Sequence, residues 1–223
     1  MVKIYIAVSA CIAFIICGAF LIVPTKTRIE LSIYYTDELN KLDQSLVKLR
    51  ELCLKKTSTD ELKKQFFKAR FNYKEVAVLT EYFNPYETKF LNGPALNRVE
   101  EDNPDVIIPP HGFQLIEEKL FSKWNDSNYS LLNNELLFDE KIISRISARS
   151  DNNFTFRDEA VFEALRSSII NLTTLGITGY DSPSAHQSIP EAKATLSGIL
   201  NILKFYQKDI VEKDKDSYSL FQF

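Results

Sequence analysis

The chain is poor in the residues on which metal, haem and nucleophile chemistry depends. Three cysteines and two histidines in 223 residues exclude most metal and haem architectures. Six glycines and eight prolines exclude a collagen-like or low-complexity chain. Neither sign of charge dominates. The 27 basic and 30 acidic side chains give a formal net charge of -3 and a pI near 5.6, which excludes an ordinary basic nucleic-acid binder, so no nucleic-acid partner is expected. No segment shows the period-two alternation of a half-buried strand. The motifs Gly-x-Ser-x-Gly and His-Glu-x-x-His, the Walker loop and the dinucleotide fingerprint are all missing, so the sequence supplies neither an activated nucleophile nor a metal-bound water.

What is present is a globular composition, 45% apolar and 26% charged, in a length that suits one domain with an appendage. The appendage is at the amino terminus. Residues Ile4 to Val23 carry no charge and are followed by Pro24. As a helix rising about 1.5 Å per residue, such a run spans roughly 30 Å, the thickness of a bilayer core. Residues 1–25 therefore read as a signal anchor or a cleaved signal peptide. Val8-Ser9-Ala10-Cys11 also has the look of a lipoprotein cleavage box. All three readings imply export or membrane attachment through residues 4–23, on the periplasmic side of an inner membrane. Cys11 and Cys17 fall inside this run, which leaves Cys53 alone in the rest of the chain and no internal disulfide to form.

Residues 26–215 read as one helical bundle domain and 216–223 as a tail. From Thr27 to Leu54, Leu31, Tyr34, Tyr35, Leu39, Leu42, Leu46 and Leu49 recur mainly at helical spacing. Ser58 and Glu61 form a capping box opening a second helix, which runs to about Phe83 and stops before Pro85. Asn84 to Pro110 reads as a long loop with the turn Asn92-Gly93-Pro94. Further helices are expected from about Gly112 to Lys123, Leu131 to Arg149 and Arg157 to Leu175, the last ending at Gly176. Ser188 and Glu191 form a second capping box, opening a helix that runs to about Lys213. The fold class that follows is all-α, a bundle of long antiparallel helices.

Candidate site residues lie on the second helix and just after the loop. Arg70, Tyr73 and Lys74 share helical spacing, with Glu81 further along. Gln114 and Glu117, three apart, share a face of the short helix. An arginine and tyrosine facing Glu117 would make a buried polar cluster, either a network that fixes helix register or a ligand pocket. His111 precedes that helix, and with Glu117 it is the weak candidate for a metal ligand pair. The acidic pair Glu117-Glu118 and the cluster Glu100-Glu101-Asp102 read as solvated surface.

Gly112-x-Gln114-x-x-Glu117 resembles the Gly-x-His-x-x-Glu signature of the imelysin-like family. The series Phe67-x-Ala69-Arg70-x-x-Tyr73-Lys74, Glu81-Tyr82-Phe83, Leu91-Asn92-Gly93-Pro94, Pro110-x-Gly112-Phe113-Gln114-x-x-Glu117-Glu118 and Leu175-Gly176-Ile177-Thr178-Gly179-Tyr180-Asp181-Ser182-Pro183 is similar to one subgroup. That subgroup is the helical region upstream of the haem domains in certain bacterial di-haem cytochrome c peroxidases. The resemblance covers about Phe66 to Phe205. It implies an exported, imelysin-like helical bundle acting in recognition or scaffolding beside a haem-containing peroxidase or electron-transfer partner. Its alternative implication is a periplasmic metal-binding protein of iron or cation uptake. Two departures matter. Gln114 stands where the metal-binding pattern has histidine. No Cys-x-x-Cys-His occurs, so this chain carries no c-type haem and any peroxidase name would come by association.

Overall fold

A computed structural model of the chain describes residues 26–100, 102–150 and 155–213. The apolar run at 4–23 and the tail at 216–223 lie outside them. Among the described residues no helix is long and apolar enough to cross a membrane.

The architecture is helical. Helix α1 spans Lys26–Leu54 and buries Leu31, Tyr35, Leu39, Leu42, Leu46, Leu49 and Cys53. Their spacing of three and four makes one continuous seam. Each leucine taken fully out of water contributes about 1.5–3 kcal/mol, so this stripe is what holds α1 to its neighbours. Helix α2, Thr59–Phe83, opens on Ser58, whose Oγ accepts from the Glu61 N–H at 3.3 Å as the capping-box pattern predicts. It ends at Asn84, because Pro85 disfavours helical geometry in the residue before it and its own nitrogen donates nothing.

The stretch from Asn84 to Pro110, read from sequence as loop, is more structured than that. Pro85 begins a short helix α3, Pro85–Leu91, the position where a missing N–H costs least. Beyond it, β1 (Arg98–Val99) pairs antiparallel with β2 (Ile107–Ile108), with Arg98 opposite Ile108. A two-residue ladder is too short for alternation to register in the sequence.

Helices α4 (Phe113–Phe121), α5 (Ser127–Ser150), α6 (Asp158–Asn171) and α7 (Ser188–Lys213) complete the bundle. Helix α1 packs between α2 and α5, and α2 packs in turn on α7 and α6. Gly198 lets α7 approach α2 closely: a Cβ there would lie 3.0 Å from Glu75 Cα, and nearer still to the Glu75 carbonyl. One end of the bundle is clasped by Asp158, which accepts from Arg28 Nη2 at 2.7 Å and from the Tyr206 hydroxyl at 3.0 Å.

Two sequence expectations need correction. The helix expected to run through Leu175 keeps α geometry only to Asn171. Leu172–Gly176 is a π-turn, closed by Ile177 N–H donating to the Leu172 carbonyl at 2.9 Å. Glu191 is not the reciprocal partner of a capping box. Its carboxylate points into the bundle, where Arg70 takes it.

Candidate functional site

The site is a buried polar network that joins four separate stretches of sequence. Its centre is Arg70 on α2, which is 0% exposed. Arg70 Nε donates to Glu191 Oε1 at 2.9 Å and Nη2 to Glu191 Oε2 at 3.1 Å, a forked pair between α2 and α7. Nη2 also donates to the Asp181 carbonyl at 2.7 Å, and Nη1 donates to Asn92 Oδ1. The guanidinium lies 5.4 Å from the Phe113 ring centre and 5.7 Å from that of Tyr73, so aromatic faces cover the surface its hydrogen bonds leave bare. Burial acts to lower its pKa, but Glu191 outweighs it and the group stays charged.

One turn along α2, Lys74 Nζ donates to Asp181 Oδ2 at 2.7 Å and lies 3.7 Å from Glu191 Oε2. Desolvation pushes the Asp181 carboxyl up, and Lys74 and Arg70 beside it bring the balance below the ordinary range. The Tyr73 hydroxyl donates to Glu81 Oε1 at 3.3 Å, and Asn171 Nδ2 donates to Glu81 Oε2 at 3.3 Å.

Glu117 is fully buried. Its Oε1 accepts the backbone N–H groups of Ser184 (2.8 Å) and Ala185 (2.7 Å), while Oε2 has no hydrogen-bond partner. The surface reading of Glu117-Glu118 therefore holds only for Glu118, which pairs with Lys119 at 2.5 Å. Gln114 Nε2 donates to the Asn92 carbonyl at 3.4 Å. The pair Gln114–Glu117 thus ties two loops, the Asn92 turn and the 182–186 turn, to helix α4. Arg70 does not bond Glu117. It acts on it through space, and desolvation nevertheless leaves the Glu117 carboxyl above its ordinary value. Glu81 is raised for the same reason. Two cations, Arg70 and Lys74, thus meet four carboxylates, and the two without an ion-pair partner are the two whose carboxyls burial raises above the ordinary value.

His111 belongs to another cluster. Its Nδ1 lies 3.1 Å from Glu135 Oε1, and its ring stacks on Phe138 with centroids 4.3 Å apart. Glu135 Oε1 also accepts the Gly112 N–H at 2.7 Å. Gly112 has φ 84° and ψ -162°, a conformation open only to glycine, and a Cβ there would run into the carbonyls of Phe90 and Leu91. The glycine of the Gly-x-Gln-x-x-Glu motif is accordingly a backbone requirement. His111 and Glu117 have different partners, and among the described residues no group of three or more His, Cys, Asp or Glu is placed to hold a metal ion. Nor does Cys53 offer a thiolate: it is buried in the α1 seam, and desolvation raises its thiol to about 11.

Sequence reasoning picked out Arg70, Tyr73, Lys74, Glu81, Gln114 and Glu117, and all six make buried or partly buried polar contacts within the bundle. It missed Glu191, Asp181 and Asn92 as their partners. A signal existed for two of them: Asn92 and Asp181 lie in the turn motifs. Glu191 was hidden by its likeness to a capping residue. Asp139 was also missed. It sits in the apolar stripe Leu132, Leu136, Asp139, Ile143 and Ile146 of α5, fully buried, with neither oxygen hydrogen-bonded. Desolvation, with Glu135 and Glu140 nearby, pushes its carboxyl well above the ordinary range.

No protein-family profile matches the chain. No curated protein matches it at a significant level.

Proposed function

We infer that the chain is a non-catalytic, exported helical module of the imelysin-like kind, which acts in recognition or scaffolding beside a haem electron-transfer partner. The observation that carries this reading is the use to which the motif residues are put. The α2 motif, the Asn92-Gly93 turn, the Gly-x-Gln-x-x-Glu stretch and the 175–183 turn are distant in sequence, and in the fold they are sides of one network. Arg70 and Lys74 are spent on internal acids, and Glu117 Oε1 is spent on backbone N–H groups. A network used up in this way fixes the register of α2, α4 and α7 and the shape of two loops. That is what a module presenting a fixed surface needs. The apolar run at 4–23 would tether the module to the membrane beside such a partner.

The residues do not suit covalent haem, since no Cys-x-x-Cys-His is present. Expression together with haem-maturation factors tests this. The chain is expected to emerge without a covalent haem absorption band, and to bind the separately expressed haem domains of a bacterial di-haem peroxidase. A covalent haem on the chain, or no association with such domains, would overturn the reading.

A second reading, cation capture in metal uptake, has one observation in its favour: Glu117 Oε2 is buried without a donor. Calorimetric titration with iron, zinc and calcium salts decides it. Submicromolar binding that disappears in Glu117→Ala would favour uptake over scaffolding.

A further inference from the structure

The polar network leaves one acid over. Arg70 is matched to Glu191, Lys74 to Asp181, and Glu117 to two backbone N–H groups. Among the described residues Glu81 is hydrogen-bonded by the Tyr73 hydroxyl and the Asn171 amide, each at 3.3 Å, and no cation lies within salt-bridge distance of it. Its carboxylate borders a small polar chamber between α2, α6, the π-turn and α7. The chamber has about 20 Å³ of free space, room for one water-sized group. Ser168 borders it as well. This serine is only 6% exposed.

Glu81, Ser168 and Asn171 also border an outer cleft of about 400 Å³ between α2 and α6, whose other walls include Val78, Tyr82, Pro85 and Ala164. The cleft and the chamber thus share a carboxylate, an amide and a hydroxyl, and the cleft adds apolar lining from Val78, Pro85 and Ala164. Leu172 and Gly176 of the π-turn form part of the inner wall, and π-turns recur where a helix is bent to shape a functional site.

We propose that the α2–α6 cleft binds a small primary alkylammonium ion, with its charged head in the inner chamber and its alkyl chain along Val78, Tyr82 and Ala164. The sign of charge argues for a cation. Arg70 pairs with Glu191 and Lys74 with Asp181, so Glu81 is the acid bordering the chamber that no described cation pairs with. Size argues for a primary amine, because a single –NH₃⁺ is about as large as a water, whereas a quaternary ammonium overfills the space and has nothing to donate. Donor count argues the same way. Three N–H groups meet Glu81, the Ser168 hydroxyl and the Asn171 carbonyl oxygen, none of which is saturated. The apolar part of the outer lining, Val78, Pro85 and Ala164 with the Tyr82 ring, favours an alkyl tail over bare ammonium. This site is independent of the haem-partner reading.

The test is calorimetry on the full chain in non-ionic detergent, with n-butylammonium chloride as the probe. Tetramethylammonium chloride and n-butanol serve as charge and shape controls. The proposal expects saturable butylammonium binding, of about millimolar affinity or tighter, with neither control binding. Glu81→Gln is expected to weaken it about tenfold or more, since a charge-assisted contact is lost. Ser167→Trp, filling the outer cleft from its partly exposed rim, should weaken it comparably while leaving the far-ultraviolet circular dichroism unchanged. Should Glu81→Gln fail to fold, the Ser167 variant decides alone. Absence of saturable binding, equal binding of butanol, or full affinity in either folded variant would overturn the proposal.

Discussion

Replacing Glu191 with alanine isolates the strongest claim about the network. In the native chain Arg70 is fully buried and spreads its donors over Glu191, the Asp181 carbonyl and Asn92. Glu191→Ala removes the carboxylate that, among the described residues, bonds it, and two of the four hydrogen bonds described. Removing one partner of a buried ion pair costs about 3–5 kcal/mol, because the other charge remains desolvated. That is a large share of the roughly 5–15 kcal/mol by which domains of this kind are stable. Urea unfolding of the chain in mild detergent, followed by helical circular dichroism, would read it as a fall in midpoint at unchanged slope. The double variant Arg70→Met with Glu191→Leu removes both charges, takes a donor from Asn92 and the Asp181 carbonyl, and leaves Lys74 its Asp181 partner. It is therefore expected to lose less than Glu191→Ala alone. A single variant within about 1 kcal/mol of the native chain, or a double variant worse than the sum of its singles, would refute the account of the network as mutually dependent.

Gly112→Ala places a side chain at a glycine-only conformation and against two carbonyls, so a loss of about 3 kcal/mol or more is expected in the same unfolding assay, far beyond the cost of an ordinary glycine replacement. Asp139 predicts an unusual pH dependence. A carboxyl whose pKa is higher in the fold than in the unfolded chain contributes stability that is complete below the unfolded value of about 4 and is lost as pH rises through the folded value. Asp139→Asn should therefore flatten the decline in unfolding midpoint on going from about pH 4 towards neutrality, and an unchanged decline would be evidence against a neutral buried Asp139. Asp158 has the opposite sign. Its hydrogen bond from Arg28 lowers its pKa, so its contribution is present above about pH 4 and fades as pH falls through the folded value. Because the pair is partly exposed, Asp158→Asn is expected to cost only about 1 kcal/mol at neutral pH, and to cost nothing in strong acid.

The helices were legible because their apolar residues keep a three-and-four rhythm that only a helix can bury on one side. Leu31 to Leu49 in α1 shows it most plainly. The helix boundaries at Ser58 and Pro85 were legible for a local reason, since each is set by the chemistry of one or two residues. What sequence could not yield were pairings decided by tertiary approach. Glu191 fits a first-turn cap as well as it fits a buried partner, and only the closeness of α7 to α2 at Gly198 decides between them. The π-turn after Asn171 likewise leaves no mark in a threonine-rich stretch. Helix α3 is hidden in a proline-rich stretch, although Pro85 stands where a helix accepts it. Asp139, by contrast, could have been found: it interrupts an apolar stripe at a position whose neighbours are all buried.

The central claim is that Glu117 is a structural tether for the 182–186 turn. Residue-resolved amide hydrogen exchange on the native chain and on Glu117→Ala tests it most directly. The account predicts slow exchange at Ser184 and Ala185 in the native chain and fast exchange at both in the variant, with α1 unaffected. Exchange at those two amides as fast in the native chain as in an unstructured peptide would contradict it.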